Sequence, residues 1–145
     1  MERREFITAL GVGAVAMAAS TQDQGWAADA GIGMHPPKYP DLQKSSAHCV
    51  MTANDCLRHC IGMLAMKDYS MTGCINTAYQ VATACTALQA LAAVNSPAVP
   101  AFAKAVALVN DACRRECEKY PDVAECTACA EACKANAEEC GKVAV

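Results

Sequence analysis

Eleven of the 145 residues are cysteine: Cys49, Cys56, Cys60, Cys74, Cys85, Cys113, Cys117, Cys126, Cys129, Cys133 and Cys140. The successive steps are 7, 4, 14, 11, 28, 4, 9, 3, 4 and 7. Within each segment they are nearly all sums of three and four, the spacing that stacks side chains on one helical face. Free cysteine packs as a small hydrophobe, but eleven such residues on inward faces would leave an exported chain open to thiol scrambling with no gain in packing. A disulfide framework has to accommodate an odd count. It must also bridge helical neighbours whose Cβ atoms are about 5 to 6 Å apart, against about 3.5 to 4.5 Å in a relaxed disulfide. Soft metal chemistry is the third explanation. Zinc closes a tetrahedron of four ligands, and iron-sulfur clusters use sets of four cysteines carried on loops, which Cys126-x-x-Cys129-x-x-x-Cys133 matches only superficially. Cu(I) takes thiolates readily at low coordination number, and one thiolate can bridge two ions. One Cu(I) per thiolate leaves a buried core without net charge, which answers the cost of burying bare anions. Many monovalent soft ions therefore fit the ladder better than a few divalent ones.

The elements that position the thiols read as helix almost throughout. Ala, Leu, Met, Lys, Glu and Gln dominate residues 41–145, and β-branched runs are absent. The pattern predicts four helices: Asp41 to Lys67, Met71 to Val94 with Ser70 as its cap, a third ending near Tyr120 with Ser96 as its cap and Pro97 in its first turn, and Asp122 to Val143. Short connections between helices of this length predict an all-α, up-down-up-down four-helix bundle. The inward stripes are Cys49, Cys56, Cys60; Cys74, Ala78, Val81, Cys85, Leu88, Ala92; Ala103, Val106, Asn110, Cys113, Cys117; and Cys126, Cys129, Cys133, Asn136, Cys140, Val143. The core of this bundle is lined with thiols.

Residues 1–30 read as an export signal and not as fold. Arg3 and Arg4 precede Phe6 and an uncharged, Ala- and Gly-rich run from Ile7 to Ala19, too short to span a bilayer. The arginine pair resembles the twin-arginine signal, which carries folded proteins to the periplasm or another extracytoplasmic compartment. Cleavage falls near Ala28 or Ala30, and no membrane attachment is expected afterwards. Removal of this segment takes away two arginines and four carboxylates, so the formal charge of -3 becomes -1, and all eleven cysteines remain. Residues 31–40, with three prolines and two glycines, form an irregular lead-in to the domain of residues 41–145. Charged residues are only 19% of the chain, and no basic surplus points to nucleic acid.

In an up-down bundle the first and third turns lie at the same end. Met63, Met66 and Met71 cluster there, one turn from His59 and Cys60 and level with Cys117 and Cys126. Thioethers bind Cu(I) more exchangeably than thiolates, as an uptake end requires, although methionine at helical spacing also serves as core filler. His59 is either an imidazole ligand or a solvent-facing residue. His48 lies off the stripe and His35 falls in the lead-in.

The segments His48-Cys49, Asp55-Cys56-Leu57-Arg58-His59-Cys60, Met63-Leu64-Ala65-Met66, Cys113-Arg114-Arg115-Glu116-Cys117 and Ala124-Glu125-Cys126-x-x-Cys129 resemble the exported bacterial copper storage proteins, Cys-rich four-helix bundles known from methane-oxidising bacteria. The likeness covers nearly all of residues 41–145. It implies a protein folded before twin-arginine export that holds many Cu(I) ions along its core and assembles as a homotetramer. It also implies that His59, Met63, Met66 and Met71 assist at the open end, and that the store serves copper enzymes such as membrane methane monooxygenase. The chain departs from that pattern at Asn110 and Asn136, at stripe positions where near relatives in the family carry Cys, and at Gly141, where a His follows the last Cys. An amide oxygen is a poor Cu(I) ligand, so the resemblance and these departures together predict fewer ions than in a relative with Cys at both places.

The expected role is binding without catalysis. The sequence shows no Ser/His/Asp set in evident order, no inward carboxylate series like the Glu-x-x-His of di-iron bundles, and no phosphate loop. The competing readings are a copper chaperone docking one ion at an exposed Cys pair and an iron-sulfur electron carrier.

Overall fold

The computed structural model describes residues 35–144. The signal segment 1–30 and its cleavage sites lie outside the described residues. Four helices follow a short irregular stretch at 35–39: α1 Pro40–Ala65, α2 Thr72–Ala93, α3 Val99–Cys117 and α4 Ala124–Val143. Each packs against its two neighbours in the cyclic order α1, α2, α3, α4, as in an up-down-up-down bundle. None of them is long and apolar enough to cross a membrane.

Local chemistry explains most of the helix ends. Pro40 opens α1, where its missing N–H costs nothing, and Asp41 in the first turn complements the helix dipole. Pro100 plays the same part in α3, which ends on Arg114 and Arg115, cations suited to a C-terminus. Glu125 and Lys142 mark the two ends of α4 with the favourable signs. After α1 the chain reverses through Lys67 at φ 64°, and after α2 through Asn95 at φ 54°, both left-handed. Asn is among the few side chains that tolerate that region.

The boundaries differ from the sequence reading at the turns. Ser70 does not cap α2. Its N–H is donated to Asp68 Oδ1 at 2.9 Å, Met71 occupies the cap position, and the Thr72 hydroxyl donates back to Tyr69 O at 2.7 Å. Ser96 likewise does not cap α3, because Pro97 and Ala98 form a separate turn in which Ser96 Oγ accepts from Ala98 N–H at 3.2 Å. Helix α3 stops at Cys117, not Tyr120, and α4 begins at Ala124, not Asp122. In each case a tight turn takes up residues that propensity alone would give to a helix.

The stripes do face the core. Cys74, Ala78, Val81, Cys85, Leu88 and Ala92 are the buried residues of α2. In α3 the buried set is Ala103, Val106, Asn110, Cys113 and Cys117, joined by Val99. Residues with bulk gather at the end where α1 and α3 begin and α2 and α4 finish: Leu42, Leu88 and Val99 are fully buried there beside Ala92 and Ala103. The lead-in is tied down at that same end, with Lys38 N–H donated to Asn95 Oδ1 at 2.7 Å and Asn95 Nδ2 donated to Pro36 O at 3.0 Å.

Candidate metal centre

All eleven cysteines are free thiols and all are buried. The small side chains of the stripes let opposite helices present sulfur to sulfur across the bundle axis. At the end marked by the first and third turns, Cys56 Sγ lies 3.2 Å from Cys74, 3.8 Å from Cys126 and 3.9 Å from Cys60. Cys74 lies 3.5 Å from Cys117 and 3.9 Å from Cys126. One level deeper, Cys113 stands 3.9 Å from Cys117 and 3.8 Å from Cys129. Cys49 meets Cys133 at 3.8 Å.

Three groups have their sulfur atoms within 4.8 Å of one another: Cys56, Cys60, Cys74, Cys126; Cys56, Cys117, Cys129; and Cys113, Cys129, Cys133. Cys56 belongs to two of them, and so does Cys129. That sharing suits a run of Cu(I) ions bridged by common thiolates better than the separate, closed tetrahedra of structural zinc sites. Sulfur separations of 3.2 to 3.9 Å also leave no space for an iron-sulfide core between the ligands.

The thiols polarise one another. S–H donors from Cys117, Cys129 and Cys74 hold Cys56 well below the ordinary thiol range. Cys113 is lowered by Cys117, Cys129 and Cys133, and Cys49 is lowered to about 5 by Cys133 and Cys85. The donors carry the opposite shift: Cys117 and Cys129 are raised chiefly by Cys113, and Cys133 likewise by Cys113. Burial raises Cys60 and Cys126 and pushes Cys140 up to about 12. Cys56, Cys113 and Cys49 are thus each favoured as thiolate among neighbours that serve as donors, whereas Cys85 and Cys140 are both raised.

The methionine end divides. Met71 is buried, 3% exposed, at the cap of α2, and Met63 is half-buried against the core. Met66 is 70% exposed just beyond α1, off the thiol rows. His59 is half-buried beside Cys60, with Nδ1 3.7 Å from Glu125 Oε2. His48 and His35 face solvent, and Gly141 is exposed on α4.

Asn110 and Asn136 occupy the inward positions expected of them, both fully buried. Asn110 Oδ1 accepts from Cys49 Sγ at 3.3 Å and Cys85 Sγ at 3.7 Å, while Asn136 Nδ2 donates to Cys85 Sγ at 3.1 Å. The sequence reading missed the partners of this layer. Ser45 and Ser46 donate to Asn136 Oδ1 at 2.8 and 3.1 Å. Ser46 continues the α1 stripe one step before Cys49, which is the signal that could have placed it inside. It also missed Tyr120, whose hydroxyl donates to Ser70 O at 2.6 Å and ties the third turn to the first over the thiol-rich end.

These features can be set beside known proteins. Among curated protein sequences no significant match was found. Among solved structures, apo-Csp3 (copper storage protein 3) from Bacillus subtilis is similar at 27% identity, covering 72% of this chain and 97% of that one, with a TM-score of 0.64. The structure described as Cu(I)-bound copper storage protein BsCsp3 matches at 27% identity over 72% of this chain and 95% of that one, with a TM-score of 0.66. The sequence profile described as Csp, copper storage protein, matches residues 37–145, the whole of the bundle. A four-helix fold, free thiols joined across its axis and that profile lead to one assignment: the chain belongs to the copper storage protein family.

Proposed function

We propose that the protein is a high-capacity Cu(I) store, holding many ions per chain through its core cysteine thiolates and performing no catalysis. The observation that carries this reading is the sharing of Cys56 and Cys129 between neighbouring thiol groups, which suits a run of bridged Cu(I) ions and not isolated closed sites. Each thiol that binds gives its proton to solvent and leaves a neutral copper-thiolate unit, so loading adds no net charge to the interior. All eleven cysteines are assigned as ligands, with His59, Met63 and Met71 supporting exchange at the open end and Met66 acting from the exposed segment beyond α1.

The wider setting belongs to the same proposal. The arginine pair Arg3-Arg4 supports twin-arginine export to the periplasm or another extracytoplasmic compartment. The resemblance to exported family members supports assembly as a homotetramer and supply of copper enzymes such as membrane methane monooxygenase.

Anaerobic titration of the reduced protein with Cu(I) against a competing chelator tests the reading. A copper-to-protein ratio on the order of ten is expected from the number of thiols. A ratio near one would point to a chaperone, and acid-labile sulfide with visible absorption in freshly isolated protein to an electron carrier.

A further inference from the structure

We propose that Asn110 and Asn136 form an amide layer that closes the copper-binding thiol network at Cys49 and Cys133, leaving Cys85 and Cys140 as a separate compartment that fills only afterwards. The proposal rests on the copper-storage reading and adds an internal division that a uniform thiol ladder would lack. The layer takes residues from all four helices. Ser45 and Ser46 of α1 donate to Asn136 Oδ1 of α4, which fixes the amide so that Nδ2 is donated to Cys85 Sγ of α2 at 3.1 Å. Cys85 in turn directs its S–H to Asn110 Oδ1 of α3, the same oxygen that Cys49 of α1 reaches at 3.3 Å.

Neither face of such an amide is a soft donor. Its oxygen is hard and its N–H cannot ligate at all. On the open side of the layer, Cys49 touches Cys133, and through it the shared groups continue to Cys60 and Cys126. On the other side, Cys85 is held by two amides, and among the described residues neither it nor Cys140 belongs to a shared thiol group. The link of Cys85 back across the layer is the Cys49 thiol, which raises its pKa. A Cu(I) ion that reaches Cys85 must displace the Asn136 N–H and take the place of the proton held against Asn110, releasing that proton to water.

One unpaired group supports the order of filling. Asn110 Nδ2 is fully buried and has no partner, a costly state for an amide donor. When Cu(I) takes the place of the Cys49 proton, which passes to solvent, Asn110 Oδ1 loses that donor. A half-turn of the amide then places Nδ2 toward the Cys49 sulfur. Loading up to Cys49 therefore exchanges the long Cys85–Asn110 contact at 3.7 Å for a partner to the unmet Nδ2, whereas loading Cys85 must also displace the closer Asn136 N–H at 3.1 Å.

The test uses the reduced, copper-free full chain under anaerobic conditions. Cu(I) is supplied stepwise as its bicinchoninate complex, thiols are exposed to N-ethylmaleimide for long enough to label all eleven in the copper-free protein, and alkylation at each cysteine is read by peptide mass spectrometry against that reference. At the load where Cys113 and Cys129 lose their alkylation, Cys85 and Cys140 are expected to be alkylated as in copper-free protein. Loss at Cys85 and Cys140 in step with Cys113, or ahead of it, overturns the proposal. In Asn110→Cys/Asn136→Cys, with helicity checked by circular dichroism, the two are expected to come into step with the rest. A lag that persists in the folded variant overturns the amides as its cause, and the single Asn110→Cys serves where the double variant does not fold. Failure of the storage reading itself has a different signature, with no cysteine losing alkylation at any load.

Discussion

At the scale of single residues, the core trades bulk for sulfur. Thiols and alanines fill most of it, so the few polar groups inside carry energetic weight out of proportion to their number. Asn136 is the clearest case, since its oxygen accepts two hydroxyls and its nitrogen serves Cys85. Asn136→Ala strands the buried Ser46 hydroxyl, whose desolvation then goes uncompensated, and is expected to destabilise the copper-free protein by about 1–3 kcal/mol. Ser45 loses less, because its hydroxyl also reaches Leu42 O at 3.1 Å. Urea unfolding under reducing conditions measures the effect. Adding Ser46→Ala to Asn136→Ala should recover part of the loss by removing the orphan, and a double variant as unstable as the sum of the singles would refute that account.

At the scale of elements, helical periodicity carried the reading of the core because burial and sequence spacing share one period in a bundle. Every cysteine was assigned inward on spacing alone, and every one is buried. The turns were less legible, because their residues answer to partners distant in sequence. Ser70 and Ser96 have capping side chains, yet α2 and α3 begin beyond them, at Thr72 and Val99. Asn95 reads as ordinary turn material, but it holds a left-handed backbone and clamps Pro36 and Lys38 from 59 and 57 residues away. Two roles in one residue can be separated by substitution. Asn95→Gly keeps the backbone freedom and loses the clamp, whereas Asn95→Ala loses both, so Ala should be the less stable by about 1 kcal/mol or more. Thermal unfolding of the pair decides it. Tyr120→Phe removes the tie from the third turn to Ser70 O and is expected to cost about 1 kcal/mol, with faster amide exchange at the first turn as its local sign.

At the scale of the whole bundle, the two ends differ in chemistry. One end closes on Leu42, Leu88 and Val99 with the lead-in bound over its turn, and the other presents Met63, Met71, half-buried His59 and the Cys56, Cys60, Cys74, Cys126 group. Under the storage reading, ions would enter at the second end, where neutral thioethers can pass Cu(I) inward to thiolates that hold it more strongly. Uptake rate and final capacity then depend on different residues. Leu matches Met in volume, so replacing Met63, Met66 and Met71 together by Leu should leave the fold nearly unchanged. It should slow Cu(I) uptake in stopped-flow mixing while the equilibrium stoichiometry falls little, because the thiolates are untouched. Leu88→Ala at the opposite end provides the contrast. It opens a cavity at a fully buried site and should cost about 2–5 kcal/mol of stability, yet leave the uptake rate of the folded protein as it was. If the triple Leu variant took up copper at the unaltered rate, or Leu88→Ala hastened uptake, the direction of loading assigned to this bundle would have to be reversed or abandoned.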